Sequence, residues 1–277
     1  FMWVYLNGKF LLQEEAKISP LDRSVTFGDG VYEVIPSYGG ELFLFDEHIN
    51  RLESSLSETF IALPEEFNNL KNILHSLYTK NKFDNQSFYI QISRGVQEIR
   101  SHQASRTLKP SLFISSQKLD ENPFRENPFT AGLKTRLEED IRWGRCDIKT
   151  TALLGNVLSM HDPSFEVVDE IIFHRGGFVN EGSKSNLFIV KDDLILTPPL
   201  SQNILPGITR NHVLRNLKKF GMKFKEENIS LESLLQADEV WLTSSTKEVQ
   251  PVSMIDTHKL PPINPQESLW KKVLDSF

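Results

Sequence analysis

Glu139-Asp140-Ile141-Arg142-Trp143-Gly144-Arg145-Cys146-Asp147-Ile148-Lys149 is the stretch on which the fold turns. Opposed charges interleaved with apolar residues make a poor solvated face and a good packed segment that presents one amine. A lysine alone is ordinarily a surface solubiliser. Lys149 therefore gains meaning only from its partners elsewhere in the chain. The first is Asn180-Glu181-Gly182-Ser183-Lys184-Ser185-Asn186, a carboxylate followed by small hydroxylated residues.

The chain has 277 residues, so two domains or one large α/β unit are expected. Its hydrophobic fraction of 39% and charged fraction of 25% are those of an ordinary globular protein, and a net charge of −6 gives no support to nucleic-acid binding. Cys146 is the only cysteine, which excludes an intrachain disulfide, and it reads as a small buried residue rather than a nucleophile. No apolar run approaches the roughly 18 residues of a membrane span, and no signal pattern opens the chain. A cytoplasmic protein is expected, with no membrane or nucleic-acid partner. The histidines include no i, i+4 pair, so no metal is expected. Phe27-Gly28-Asp29-Gly30 lacks the third glycine of a nucleotide loop.

Hydrophobic patterning divides the chain. Trp3–Leu6 and Phe10–Leu12 flank Asn7-Gly8 as a hairpin. Val31–Ile35 and Glu41–Phe45 flank Gly39-Gly40 as a second, after which Asp46 is expected to cap a helix bearing Ile49, Leu52 and Leu56. Pro64 opens the next helix, and strands are expected at 88–92, 112–114, 170–174, 186–190, 194–197 and 240–243. A helix begins at Gly207-Ile208-Thr209. The Pro-rich segment 121–130 reads as a linker between a small N-terminal α/β domain, 1–120, and a larger domain, 131–277.

An amine-transferring site on pyridoxal phosphate needs a lysine to hold the aldehyde as a Schiff base and move a proton. It also needs a carboxylate at the ring nitrogen, donors for the phosphate, and a cationic trap for the substrate carboxylate. Lys149 in Asp-Ile-Lys, Glu181 in Glu-Gly-Ser-x-Ser-Asn, Gly207-Ile208-Thr209-Arg210 and Thr243-Ser244-Ser245 supply these types in order. With Asp22-Arg23, Phe27–Glu33 and His48–Leu52, they resemble the fold type IV pyridoxal-phosphate enzymes from about Trp3 to Val252. Arg94-Gly95 and Arg100-Ser101-His102 make the D-amino acid aminotransferases the best match within that family. The alternatives are aminodeoxychorismate lyase, which usually lacks such a trap, and branched-chain aminotransferase.

The resemblance implies a two-domain α/β (α+β) fold whose larger domain has a β-barrel-like core. It implies pyridoxal 5'-phosphate as cofactor, an amino acid and a 2-oxo acid as substrates, and a homodimer. Lys149 would be catalytic. Arg51, Glu181, Ser183, Ser185, Leu205, Ile208, Thr209, Ser244 and Ser245 would hold the cofactor. Tyr32, Tyr89, Arg100 and His102 would take the substrate, the last two across the subunit interface. Lys184 departs from the serine usual at its position and is expected to point to solvent.

Overall fold

The structure is a computed structural model describing residues 2–161, 167–262 and 264–277. Two compact units form: residues up to Asp120 together with Ile148–Leu153, and Glu121–Asp147 together with Leu154–Phe277.

In the first unit β1 (Trp3–Leu6) and β2 (Lys9–Leu12) make the expected hairpin, with Asn7 and Gly8 both at positive φ. A short helix α1 (Arg23–Phe27) precedes β3 (Gly30–Tyr38), β4 (Glu41–Leu42), α2 (Phe45–Glu58), α3 (Leu70–Asn81), β5 (Asn85–Ser93) and β6 (Ser111–Lys118). The sheet order is β2-β1-β6-β5-β3-β4. Leu52 and Leu56 of α2, with Leu70, Ile73, Leu74 and Leu77 of α3, pack on Val31, Ile35, Phe88, Ile90 and Ile114. The second hairpin departs from expectation: β4 stops at Leu42 and α2 begins at Phe45, so Asp46 lies in its first turn rather than capping it. There the acidic side chain still complements the helix dipole.

The second unit holds α4 (Pro123–Glu126), β7 (Leu133–Glu139), α5 (Leu154–His161), β8 (Glu170–Arg175), β9 (Phe178–Gly182), β10 (Asn186–Lys191), β11 (Leu194–Thr197), α6 (Ile208–Lys219), β12 (Phe224–Glu226), α7 (Leu231–Leu235), β13 (Glu239–Ser244), β14 (Glu248–Ile255), β15 (His258–Lys259) and α8 (Leu269–Leu274). Its sheet runs β12-β11-β10-β13-β14-β7-β8-β9, with β15 on β14. Terminal β9 passes through a tight turn straight into β10, near the other end of that order, so the sheet must curl toward a barrel. Both faces are covered. Leu187 and Ile189 enter one core while Phe188 and Val190 enter the other, which is why β10 reads as an unbroken apolar run.

Two boundaries differ from the sequence reading. Residues 121–130 are not a free linker, because Phe124 is buried against Trp270 and the Asn122 amide donates to the Lys247 and Val249 carbonyls. The strip 148–153 belongs with the first unit. Tyr32 N donates to the Lys149 carbonyl at 3.0 Å, Thr151 N to Gly30 at 2.9 Å, and Val31 bridges Thr150. Among the described residues no helix is long and apolar enough to cross a membrane.

Candidate active site

The pleat of β3 sorts its side chains onto opposite faces. Tyr32 lies on one, 5.5 Å from Tyr89 between ring centroids, and Lys149 Nζ stands 4.2 Å from the centre of the Tyr32 ring. The Tyr89 hydroxyl donates to Gln91 Oε1 at 2.7 Å; burial, with Tyr32 beside it, pushes that phenol up to about 12.

Glu33, fully buried on the helix-facing side, receives Arg51 Nε at 2.6 Å, Arg51 Nη2 at 2.9 Å and His48 Nδ1 at 2.8 Å. Burial alone would raise this carboxyl, but the Arg51 charge and the His48 and Arg51 hydrogen bonds outweigh it and hold it at about 2. His48 is lowered, chiefly by burial and further by Arg51 and Lys149, so its neutral ring gives Nδ1–H to Glu33. Arg51 is thereby fixed in orientation.

Arg100 and His102 lie on the connection from β5 to β6. The Arg100 guanidinium stands 4.6 Å from the Phe27 ring centre, and the His102 ring 5.3 Å from the same ring. Gly95 starts this connection at φ 110°, where a Cβ would come within 1.9 Å of the Lys109 carbonyl oxygen. No other residue fits the Arg94-Gly95 turn.

In the second unit Glu181 is buried at the end of β9. Its Oε1 accepts Arg142 Nη1 at 2.7 Å; Oε2 accepts Asn186 Nδ2 at 3.1 Å and the Leu205 backbone N–H at 3.0 Å. Burial pushes the carboxyl up to about 7 against the opposing pull of Arg142 and the Leu205 N–H. Arg142 is held in turn by Asp140, with Nε at 3.0 Å from Oδ1 and Nη2 at 3.0 Å from Oδ2, and it lies over Phe173. Asp140 is steadied by the Asn180 amide at 2.9 Å.

Helix α6 starts at Gly207 with no side-chain cap, and Ile208 and Thr209 are buried there. The glycine is needed, since a Cβ at 207 would sit 1.9 Å from Asn186 Oδ1. Gly207→Ala should therefore push Asn186 off Glu181 and lower stability by roughly 1–3 kcal/mol, read as a fall in Tm. Across the β10–β13 ladder, Asn186 pairs with Thr243, whose buried hydroxyl has no partner among the described residues. Ser244 ends β13 and Ser245 opens the turn into β14.

Ser183 and Ser185 are otherwise engaged. Both hydroxyls donate to buried Glu170, Ser185 Oγ to Oε2 at 3.0 Å and Ser183 Oγ to Oε1, and Ser183 N adds a bond to Oε1 at 3.1 Å. Lys184 is exposed and, among the described residues, donates to the Asp169 carbonyl at 3.5 Å. Cys146 is buried, donates to the Trp143 carbonyl at 3.2 Å, and burial raises its thiol to about 11, no state for a nucleophile.

The sequence reading named neither Arg142, Asn186, Glu33 nor Glu170 as a site residue. Asn186 and Glu33 lie inside the Glu-Gly-Ser-x-Ser-Asn and Phe27–Glu33 motifs, while Arg142 shares the charge-crowded segment of Lys149.

The pattern of the family described as amino-transferase class IV matches residues 30–255. A D-alanine aminotransferase of Listeria monocytogenes is 37% identical over 255 residues, 92% of this chain and 88% of that protein. One from Staphylococcus haemolyticus is 39% identical over 253 residues, 91% of this chain and 89% of its own length. Among solved structures, a branched-chain aminotransferase from Thermoproteus uzoniensis with norvaline superposes with a TM-score of 0.86 at 25% identity, covering 99% of this chain and 93% of that one. The architecture is therefore fold type IV. A buried glutamate steadied by Arg142 and Asn186, and a lysine zipped to β3, lie within the matched span, and the chain belongs to the class IV aminotransferase family.

Proposed function

We propose that this chain is a cytoplasmic, homodimeric pyridoxal-phosphate enzyme that moves the amino group of a D-amino acid such as D-alanine to a 2-oxo acid such as 2-oxoglutarate. The observation that carries it is the pair Arg100 and His102 gathered on Phe27, a guanidinium and an imidazole suited to a carboxylate, in a chain whose relatives are named D-alanine aminotransferases.

The donor set fits the cofactor. An ionised carboxylate accepts about four hydrogen bonds, and Glu181 has three, which leaves Oε1 one site for a ring N–H. The uncapped start of α6 offers N–H groups and dipole to a phosphate. The orphaned Thr243 hydroxyl marks polar space beside Ser244 and Ser245.

When bound, pyridoxal phosphate supplies an aldehyde that joins an amine and a ring that draws electrons from the carbon bearing it. Lys149 Nζ would be the amine that holds the aldehyde and the base that moves a proton between the substrate α-carbon and the cofactor carbon across the intervening nitrogen. Glu181 Oε1 would hold a proton on the ring nitrogen, with Arg142 keeping Glu181 aimed. Arg51, the Ile208 and Thr209 N–H groups, Ser244 and Ser245 would hold the phosphate, and Leu205 would pack against the ring. Ser183 and Ser185, whose hydroxyls donate to Glu170, would offer this assembly lone pairs as acceptors. Tyr32, Tyr89, Arg100 and His102 orient the substrate carboxylate, the last two from the partner subunit.

The test is a half-reaction. D-alanine should bleach the visible absorbance of the holoenzyme and L-alanine should leave it; holoenzyme unchanged by D-alanine would overturn the reading. Arg100→Ala should raise KM for D-alanine roughly ten- to a hundredfold, the worth of one hydrogen bond to a charged group.

A further inference from the structure

Arg23 is a cation buried to 5% exposure in a short helix that carries none of the residues assigned above. A buried guanidinium must be paired and hydrogen-bonded to be tolerated. Its Nε donates to Asp29 Oδ2 at 2.7 Å. The two remaining nitrogens go to backbone carbonyls of the Arg100–His102 segment: Nη1 to Ser101 at 2.6 Å and Nη2 to His102 at 3.2 Å.

The flat face of the same guanidinium lies 4.5 Å from the centre of the Phe27 ring, the ring on which Arg100 and His102 also rest. Around it the backbone is stitched in register: Arg23 N donates to Gly95 at 3.0 Å, Arg94 N to Asp29 at 3.1 Å, and Gln97 N to Leu21 at 3.2 Å. Arg94 shares the Asp29 carboxylate, so Arg23 is held from behind by a fixed anion.

Toward the middle of the connection such anchoring thins out. Arg100 and His102 are both exposed, and among the described residues Arg100 has no carboxylate partner. Carbonyls on either side, at Ile99 and Gln103, are held by the Gln97 amide at 2.9 and 3.4 Å. Of those between, the Ser101 and His102 carbonyls are held by Arg23. A peptide plane pinned at its oxygen cannot rotate, so pinning the Ser101 and His102 carbonyls fixes both planes that flank His102, and with the Ile99 carbonyl held by Gln97 it brackets Arg100 from both sides.

We infer that Arg23 is a positioning residue for substrate: by holding the Ser101 and His102 carbonyls it aims the Arg100–His102 pair, and so sets affinity for the substrate carboxylate without touching cofactor or substrate. This rests on the reading of Arg100 and His102 given above. The planar fork is the requirement, because a lysine ammonium cannot span a carboxylate and two carbonyls in one plane.

The experiment compares holoenzyme carrying Arg23→Lys, Arg100→Ala or both with the parent chain. Arg23→Lys keeps the charge and should raise KM for D-alanine and for 2-oxoglutarate about tenfold, with kcat within about threefold and the cofactor absorbance unchanged. In the double variant Arg23→Lys should raise KM by less than it does in the parent chain, because the share of its effect that runs through Arg100 is already lost and only the share through His102 remains. A KM rise that multiplies on the Arg100→Ala background would overturn the inference, as would an unchanged KM in Arg23→Lys. If Arg100→Ala raises KM while Arg23→Lys does not, the inference fails alone. If neither variant moves KM, the carboxylate reading falls with it. A merely structural Arg23 would lower Tm and loosen the cofactor while leaving the KM ratio of the two single variants unlinked.

Discussion

Lys149→Ala should lower turnover of D-alanine and 2-oxoglutarate roughly ten-thousandfold, at the upper end of what a positioned proton-transfer group contributes. The loss should be chemical, because Lys149 is tied into the first unit by its backbone: its carbonyl receives Tyr32 N, and that bond survives truncation of the side chain. Only the ammonium over the Tyr32 ring disappears, an interaction worth about 1 kcal/mol. Tm should therefore stay near the parent value while steady-state rate collapses. Added small primary amines should restore part of the rate by serving as the missing base. A Lys149→Ala enzyme turning over at the parent rate would end the proposed mechanism, whatever its stability.

The largest expected effect on stability is that of Glu33→Gln. The change keeps the shape of the side chain but strips the charge from a carboxylate with no exposure that holds both Arg51 and His48. Breaking one side of a buried pair costs about 3–5 kcal/mol, since the remaining charge is left without a counterion. The titration leads to a similar magnitude. Folding lowers the Glu33 carboxyl from 4.5 to about 2, and a shift of that size corresponds to about 3 kcal/mol. A group whose pKa falls on folding stabilises the native state above its unfolded value, and that stability is lost as pH falls toward the folded value. The gap between parent and variant should thus be full above about pH 5 and close progressively toward pH 2. At neutral pH it should appear as a fall in Tm of roughly 10 °C. A gap that stays constant across the acid range would show that Glu33 acts through packing rather than charge.

How much of this was legible in the sequence varies by residue, for physical reasons. Lys149 and Glu181 announced themselves because each lies in a short local motif of unusual composition, and the order of those motifs along the chain is itself a constraint. The strands of the second unit were visible as apolar runs such as Leu187–Val190, buried on both faces. β7 was missed because its Leu-Lys-Thr-Arg-Leu-Glu-Glu sequence puts charges on a strand flanked by two parallel neighbours, where apolar residues are the rule. Asp46 misled because an aspartate before a helical pattern usually caps it; here Leu44 takes the cap position in the left-handed conformation and the helix starts two residues early. Arg142 could not be read locally at all: it acts on Glu181 from 39 residues away, and only tertiary structure shows that an arginine inside the lysine's own segment aims the glutamate instead. Asn186 stands five residues from Glu181 in the same motif, but its role needs the turn that brings its amide back onto the carboxylate.

Tyr32 and Glu33 are adjacent on β3, yet they face opposite sides of the sheet and serve different tasks. One touches Lys149, and the other anchors Arg51. The division of labour is thus encoded in parity: even and odd positions of a single strand. A one-residue insertion or deletion just ahead of Tyr32 would transpose the phenol and the carboxylate in one stroke, driving a charge to the Tyr89 side and leaving Arg51 without its anion. Sequence drift along β3 can therefore proceed by substitution but not by length, and the connection before Gly30 is where tolerance of insertions should end abruptly.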